Sequence, residues 1–320
     1  MNAERATQLI KADALAVERA ARALGQGQLV AFPTETVYGL GADAGNGEAV
    51  ARLYEAKGRP SFNPLIAHVS DAAAARMLGE FDAAADALAA AFWPGPLTLV
   101  LRKLPNAPVA ELATAGLDTI ALRVPAHPIA REVIRAFGRA VVAPSANRSG
   151  HVSPTTAQHV FSDLGGRIDL IVDGSAAPMG LESTIVACLG EPRLLRPGAL
   201  SRAEIERVVA INDTPAASEN VLAPGQLASH YAPRARLRLD AVGVEPKEAL
   251  LAFGPEPVEG ASMTLNLSER GDLIEAAARL FSHLRALDAC GATTIAVMPI
   301  PSEGLGEAIN DRLRRAAALR

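Results

Sequence analysis

Four short stretches crowd charged and polar residues together: Thr34–Gly39, Lys57–Pro64, Pro144–Gly150 and Glu182–Thr184. Lys57 and Arg59 are the strongest chemical candidates. An ammonium and a guanidinium two positions apart can hold a polyanion and stabilise charge moving onto a leaving group. The same residues also read as a plain helix ending, with Lys57 favouring the dipole, Gly58 as cap and Pro60 as stop. Arg123 stands inside an apolar run, Ile120-Ala121-Leu122-Arg123-Val124, where an unpaired guanidinium is costly to bury. It needs an anion, either a structural partner such as Glu182 or a ligand. Thr36 follows an apolar run and could hydrogen-bond a small ligand or simply close a turn. His68 lies within Leu65-Ile66-Ala67-His68-Val69, as a core histidine or a functional one. Ser145 follows a strand, and Ser153-Pro154-Thr155-Thr156 reads as an N-cap with proline at N1. Such a helix start leaves N–H groups available to phosphate. Arg196, in Leu195-Arg196-Pro197-Gly198, reads as a turn residue, and His230-Tyr231 read as packing residues of a second domain.

These stretches need a scaffold that brings strand ends together. Helical spacing predicts helices over 12–24, 48–56, 82–92, 128–137 and 154–164; strands are expected at 28–32, 65–69, 97–101, 119–124, 140–143, 170–172, 183–187 and 193–195. This interleaving argues an α/β fold with mixed strand directions. In open α/β sheets ligands collect beyond strand ends, so the polar loops read as one pocket there. Residues 212–224, rich in Ala, Ser, Asn, Asp and Pro without apolar periodicity, form the expected linker. Strands at 237–239, 249–253 and 293–297 then alternate with helices at 273–289 and 305–319, a small parallel Rossmann-like sheet. It lacks a glycine fingerprint, because Ile309 stands where Gly304-Leu305-Gly306 would need its third glycine. The expected division is a first domain over 1–208, a linker and covering segment over 209–235, and a second domain over 236–320.

With 49% hydrophobic and 21% charged residues the chain can build ordinary packed cores. A net charge of −4 gives no global attraction to nucleic acid or membrane. Cys188 and Cys290 are far apart and lack metal-ligand spacing, so a reducing cytosol fits and neither a disulfide framework nor a protein metal site is expected. No segment has the roughly 20 apolar residues a membrane span needs. Walker A, HExxH and GxSxG patterns are all missing, so a bound nucleotide would be held another way.

Taken together, Pro33-Thr34-Glu35-Thr36-Val37-Tyr38-Gly39-Leu40, Lys57-Gly58-Arg59-Pro60, Asn63-Pro64-Leu65, Pro94-Gly95-Pro96-Leu97-Thr98, Arg123-Val124-Pro125, Ala143 to Gly150 and Glu182-Ser183-Thr184 resemble the Sua5/YrdC family of threonylcarbamoyl-AMP synthases. The likeness spans about residues 15–207. Pro224-Gly225 and His230-Tyr231-Ala232-Pro233, with the residues after them, resemble the longer, two-domain Sua5 type. The resemblance implies a YrdC-like twisted mixed sheet followed by a Rossmann-like domain, and synthesis of threonylcarbamoyl-AMP from L-threonine, bicarbonate and ATP. Mg2+ would arrive with ATP, and the product would pass to threonylcarbamoyl-transferase machinery for tRNA, with tRNA itself as a further contact. It places Thr36, His68, Arg123, the Ala143 backbone and Ser183 on threonine. Lys57, Arg59, Asn63, Thr119, Ser145, Ser153, Arg196, His230 and Tyr231 fall on ATP, Lys57 and Arg59 acting on the reacting phosphates. Residues 224–233 become a lid, although Ala223, Gln226, Ala228 and Ser229 depart from the family's usual residues. Glu35, where the family often has aspartate, is expected to matter less, since either carboxylate accepts the same bonds. The rival from another class is an RNA-binding module on the same fold, which the few basic residues and absent aromatic interleaving disfavour. A carbamoyl-transfer domain of the hydrogenase-maturation type would need a longer chain with zinc-finger-like segments.

Overall fold

Short polar residues mark where helices begin in this chain. Asp13, Asn46, Asp82 and Thr156 each accept a first-turn backbone N–H, filling a donor the helix leaves open. Gly58 ends its helix at φ 60°, the left-handed geometry that glycine adopts without a Cβ penalty. The computed structural model describes residues 6–212 and 230–318. The expected linker over 212–224 lies outside the described residues apart from Asn212, as do Ala223, Gln226, Ala228 and Ser229 of the expected lid.

The first unit carries strands β1 (Gln8–Lys11), β2 (Val30–Phe32), β3 (Gly39–Asp43), β4 (Ile66–His68) and β5 (Leu97–Arg102). It continues with β6 (Thr119–Arg123), β7 (Val141–Val142), β8 (Leu170–Asp173), β9 (Thr184–Ala187) and β10 (Arg193–Arg196). These form one ten-stranded mixed sheet, in the order β1-β8-β2-β3-β7-β4-β6-β5-β9-β10. Its helices are α1 (Ala14–Gly25), α2 (Gly47–Lys57), α3 (Ala72–Arg76), α4 (Ala83–Phe92), α5 (Pro128–Phe137), α6 (Ala157–Leu164) and α7 (Arg202–Glu206). The second unit is a four-stranded, all-parallel sheet of β11 (Arg236–Arg238), β12 (Ala249–Ala252), β13 (Thr264–Asn266) and β14 (Thr294–Val297), ordered β11-β14-β12-β13. Helices α8 (Leu273–Ala289) and α9 (Gly306–Ala317) pack on it.

Strand alternation divides the large sheet into two unlike faces. One face, with Ala31, Leu40, Ala67, Leu99, Leu122 and Val142, builds the main core with α2, α4 and α6. On the other, α1 and α5 cover Val30, Phe32, Val141 and Val172. Toward β4, β6, β5 and β9 that second face instead carries a small cluster of Ile66, Val100, Ala121 and Ile185. The parallel pairing of β4 with β6 sets His68 beside Arg123 on this same face. The pocket therefore lies over a sheet face and not only beyond strand ends.

Three strands, β1, β3 and β13, go beyond the sequence reading. In β3, Gly39-Leu40-Gly41-Ala42-Asp43 has little strand propensity, yet a Cβ at Gly41 would lie 2.7 Å from the Phe32 ring and 3.0 Å from Val30 O. Glycine is selected there by close strand packing. The expected cap at Ser153 with Pro154 at N1 is also corrected. The helix starts at Ala157, capped by the Thr156 hydroxyl, while Pro154 O accepts the Tyr38 N–H at 2.9 Å and Ser153 Oγ turns to Glu182. Tertiary partners outcompete the local cap.

Candidate active site

The pocket begins where β2 ends. Thr34 Oγ1 hydrogen-bonds Thr36 Oγ1 at 2.8 Å and donates to Val37 O at 2.6 Å, which folds the loop so that Thr36 faces Arg123. The Arg123 guanidinium donates to Thr36 Oγ1 at 3.0 Å, to Gly95 O at 3.3 Å and to Glu35 Oε1 at 2.5 Å. Its structural anion is thus Glu35, in place of the Glu182 suggested by the sequence. Glu35 Oε2 in turn accepts the Ala126 and His127 N–H groups ahead of α5. Burial raises the Glu35 pKa, but the Arg123 charge and hydrogen bond outweigh that and hold it below its ordinary value. Glu35 is therefore the counter-ion of a buried guanidinium. His68 is pushed down to about 3 by burial and then by Arg123, so it is neutral; its Nδ1 lies 3.2 Å from Ile66 O.

A second group of cations stands across the cavity. Arg59 is held by the carbonyls of Asn63 and Pro64, and Arg196 donates to Ser183 O at 2.7 Å and Ser183 Oγ at 3.3 Å. Ser183 Oγ also meets Thr98 Oγ1 at 2.8 Å. Lys57 lies behind Arg59, donating to the carbonyls of Ser145 and Asn147 and so tying the two polar loops together. Burial and the neighbouring Arg59 push the Lys57 ammonium well below its ordinary pKa. Burial lowers Arg59 to about 10. Three cationic side chains gathered in one corner suit an anion.

Thr36, Arg59, His68, Arg123, Ala143, Ser145, Ser183, Arg196, His230 and Tyr231 line the cavity together, with Val37, Ile66, Pro144 and Glu182. Lys57, Asn63, Thr119 and Ser153 do not line it. Asn63 Oδ1 and Thr119 Oγ1 are buried without a hydrogen-bond partner among the described residues. Thr119 begins β6 and Arg123 ends it, so the two are separated by roughly 13 Å of strand.

Residues 22–198 match the family model for Sua5, YciO and YrdC proteins, described as telomere recombination. Residues 200–318 match the model described as threonylcarbamoyl-AMP synthase, C-terminal domain. The chain belongs to the Sua5 family of threonylcarbamoyl-AMP synthases. Relatives bearing that name include one from Bacillus subtilis, 41% identical with 94% of this chain and 92% of the relative covered, and one from Pyrococcus abyssi, 42% identical with 94% of each covered. The crystal structure of P. abyssi Sua5 complexed with L-threonine superposes with a TM-score of 0.88 at 38% identity, over 97% of both chains.

Within this Sua5-family fold, the structure adds Glu182 and Arg312 to the residues around the pocket. The Glu182 carboxylate accepts Ser153 Oγ at 2.5 Å and Arg312 Nε at 2.8 Å. Arg312 belongs to α9 of the second unit and is fully buried. Its signal in the sequence is an arginine on the apolar face formed by Ile309, Leu313 and Ala316, where an unpaired charge could not stay. Burial pushes His230 down to about 3, and its ring meets Tyr231 edge to face at 4.0 Å.

Proposed function

We propose that this protein condenses L-threonine, bicarbonate and ATP into threonylcarbamoyl-AMP and pyrophosphate, for threonylcarbamoylation of tRNA. The observation that carries this reading is one cavity with two different corners: Arg123, Thr36, His68 and Ser183 on one side, Arg59 and Arg196 on the other. In the first corner a guanidinium already paired in a fixed orientation can add a carboxylate as partner, and the amino acid's hydroxyl meets neutral donors and acceptors. The Ala143 backbone completes that wall. In the second, Arg59 and Arg196, supported by Lys57, take the phosphates, with Ser145, Ser153, Asn63, Thr119, His230 and Tyr231 around the nucleotide.

The threonine nitrogen forms its bond to the bicarbonate carbon as water is lost, giving a carbamate. A carbamate oxygen then attacks the α-phosphorus and pyrophosphate leaves with the bond electrons. Because the carbamate is already anionic, the attack needs little help from a base. The harder task is holding two anions against each other, which fixed cations accomplish. Mg2+ enters as part of the MgATP substrate. Glu182 in the pocket wall and Glu35 behind Arg123 are both engaged by arginines, which leaves the metal to the phosphates. The two domains are 1–208 and 236–320, and the product passes to the transferase that modifies tRNA.

The test is pyrophosphate release by the purified protein, with mass analysis for threonylcarbamoyl-AMP. Release should require both L-threonine and bicarbonate, and threonine amide should be a poor substrate because it lacks the carboxylate. Equal release without threonine would sink the reading, and equal turnover of the amide would remove Arg123 from threonine.

A further inference from the structure

Val152 to Thr155, all buried, join parts of the molecule that lie far apart in sequence. A buried carbonyl needs a donor, and the donors for this stretch come from three separate segments. Pro154 O accepts the Tyr38 N–H at 2.9 Å, and Thr155 O accepts the Ala177 N–H at 2.9 Å. Tyr38 follows directly on Thr36 and Val37 of the cavity wall, and Ala177 leads into Glu182-Ser183 of the same wall. Val152 O and Ser153 O, the latter at 3.4 Å, take their donors from Arg285 on α8 of the second unit. The same guanidinium forms a two-pronged pair with Asp163, at 3.2 Å to Oδ1 and 2.8 Å to Oδ2. Asp163 lies near the end of α6, the helix that begins just after this stretch at Ala157. One side chain therefore grips α6 and its lead-in together, with Arg285 and Asp163 only 16% and 10% exposed. A planar fork with fixed N–H directions suits this set of acceptors better than an ammonium would. Pro154 makes the hold stiff, because its ring fixes φ and restricts Ser153 before it. A rotation of the Ser153 carbonyl is thus passed on to Pro154 O and through it to Tyr38.

We propose that Arg285 is a positioning residue for both corners of the pocket: from the second unit it fixes residues 152–155, and so sets the Thr36 loop on the threonine side and Ser153 on the nucleotide side. It acts through the backbone of the first unit, since Arg285 itself does not line the cavity. The inference rests on the proposed function for the identity of the two ligands. A second ion pair between the units supplies the contrast. Arg202 of α7 and Glu307 of α9 meet at 3.0 Å, and neither lines the cavity. If Arg285 served only to hold the units together, losing either pair should have the same consequence.

The experiment compares native protein with Arg285→Gln, Arg285→Lys, Asp163→Asn and Glu307→Gln, all checked for folding by circular dichroism and melting. Pyrophosphate release gives kcat and the KM for each substrate, and amide hydrogen exchange is followed at Tyr38 and Ala177. Misplacing the two loops predicts a KM about 10- to 100-fold higher for both L-threonine and ATP in Arg285→Gln. The Tyr38 and Ala177 amides should exchange about 3- to 10-fold faster there, the effect of weakening a hydrogen bond. Amides of the β5–β6 pairing, which report general loosening, should stay native. Arg285→Lys should lie between Arg285→Gln and native, and Glu307→Gln should match native in both readouts. Equal changes in Arg285→Gln and Glu307→Gln would reduce Arg285 to an inter-unit tie and overturn the proposal. Native KM values and native exchange in Arg285→Gln overturn it too. Should Arg285→Gln fail to fold, Arg285→Lys and Asp163→Asn, which removes the carboxylate and leaves the guanidinium, are judged by the same two readouts. Native protein without threonine-dependent release would refute the proposed reaction, and the exchange comparison would still decide whether Arg285 sets the two loops.

Discussion

Replacing Glu35 by alanine should strip a buried guanidinium of its counter-ion. Arg123 and Glu35 are 4% and 6% exposed, and their contact is 2.5 Å, so water cannot take over the pairing. After the substitution Arg123 keeps Thr36 Oγ1 and Gly95 O, which are neutral, and the N–H groups of Ala126 and His127 lose their acceptor. Breaking a buried pair on one side costs about 3–5 kcal/mol. Glu35→Gln keeps an acceptor for those N–H groups and should cost less. The pH dependence has a definite sign. The folded pKa of Glu35 lies below its ordinary 4.5, so the pair's contribution is fully present above that value and is lost as pH falls through the lower, folded one. Urea unfolding of native protein and both variants, at neutral pH and again in acid below the folded pKa, checks this. The gap should be large at neutral pH and close in acid. A Glu35→Ala protein within about 0.5 kcal/mol of native at neutral pH, the range of an ordinary surface change, would refute the reasoning.

Three further outcomes are expected. Because Lys57 Nζ donates to the carbonyls of Ser145 and Asn147, Lys57→Ala should untie the two polar loops and weaken ATP binding in calorimetry by about 1.5–3 kcal/mol, the worth of a charge-assisted contact. Gly198→Ala would put a Cβ 2.4 Å from Glu182 O and 2.5 Å from Thr184 N, all backbone, and should cost about 1–3 kcal/mol as overpacking does, with weakened substrate binding measurable in the same titrations. A protein ending at residue 208 should fold but bind a hydrophobic dye and lose activity, because Val37, Val152 and Leu181 pack within the second unit's apolar cluster; a truncated protein with native dye binding and native yield would contradict this.

Elements whose own residues specify them were legible in the sequence. The helices Pro128–Phe137 and Leu273–Ala289 fall where apolar spacing, proline and capping residues put them. The helix that carries Lys57 ends at Gly58 as local chemistry requires. Strand β3 was not legible, since the case for Gly41 is the ring of Phe32 on a neighbouring strand. The cap at Ser153 failed for the same reason, a long-range partner having captured its hydroxyl.

The site divides along the same line. Residue types at strand ends were enough to gather the polar loops, and the pairing of β4 with β6 then set His68 and Arg123 side by side. What spacing could not supply was the partner of each buried charge. Arg123 is answered by Glu35, 88 positions away, and Glu182 by Arg312, 130 positions away. A one-dimensional pattern shows that a charge inside an apolar run must be answered, because leaving it unpaired costs several kcal/mol. Which charge answers it depends on contacts far along the chain, a loop beside the first sheet for Arg123 and a helix on the second sheet for Glu182. The first unit contributes Arg59, Arg196 and Glu182 to the pocket wall, and the second answers the Glu182 carboxylate with a fully buried guanidinium. The arginine on the apolar face of α9 is therefore the counter-ion of a carboxylate in the pocket wall, and that pairing is what lets a charge stay on an apolar face.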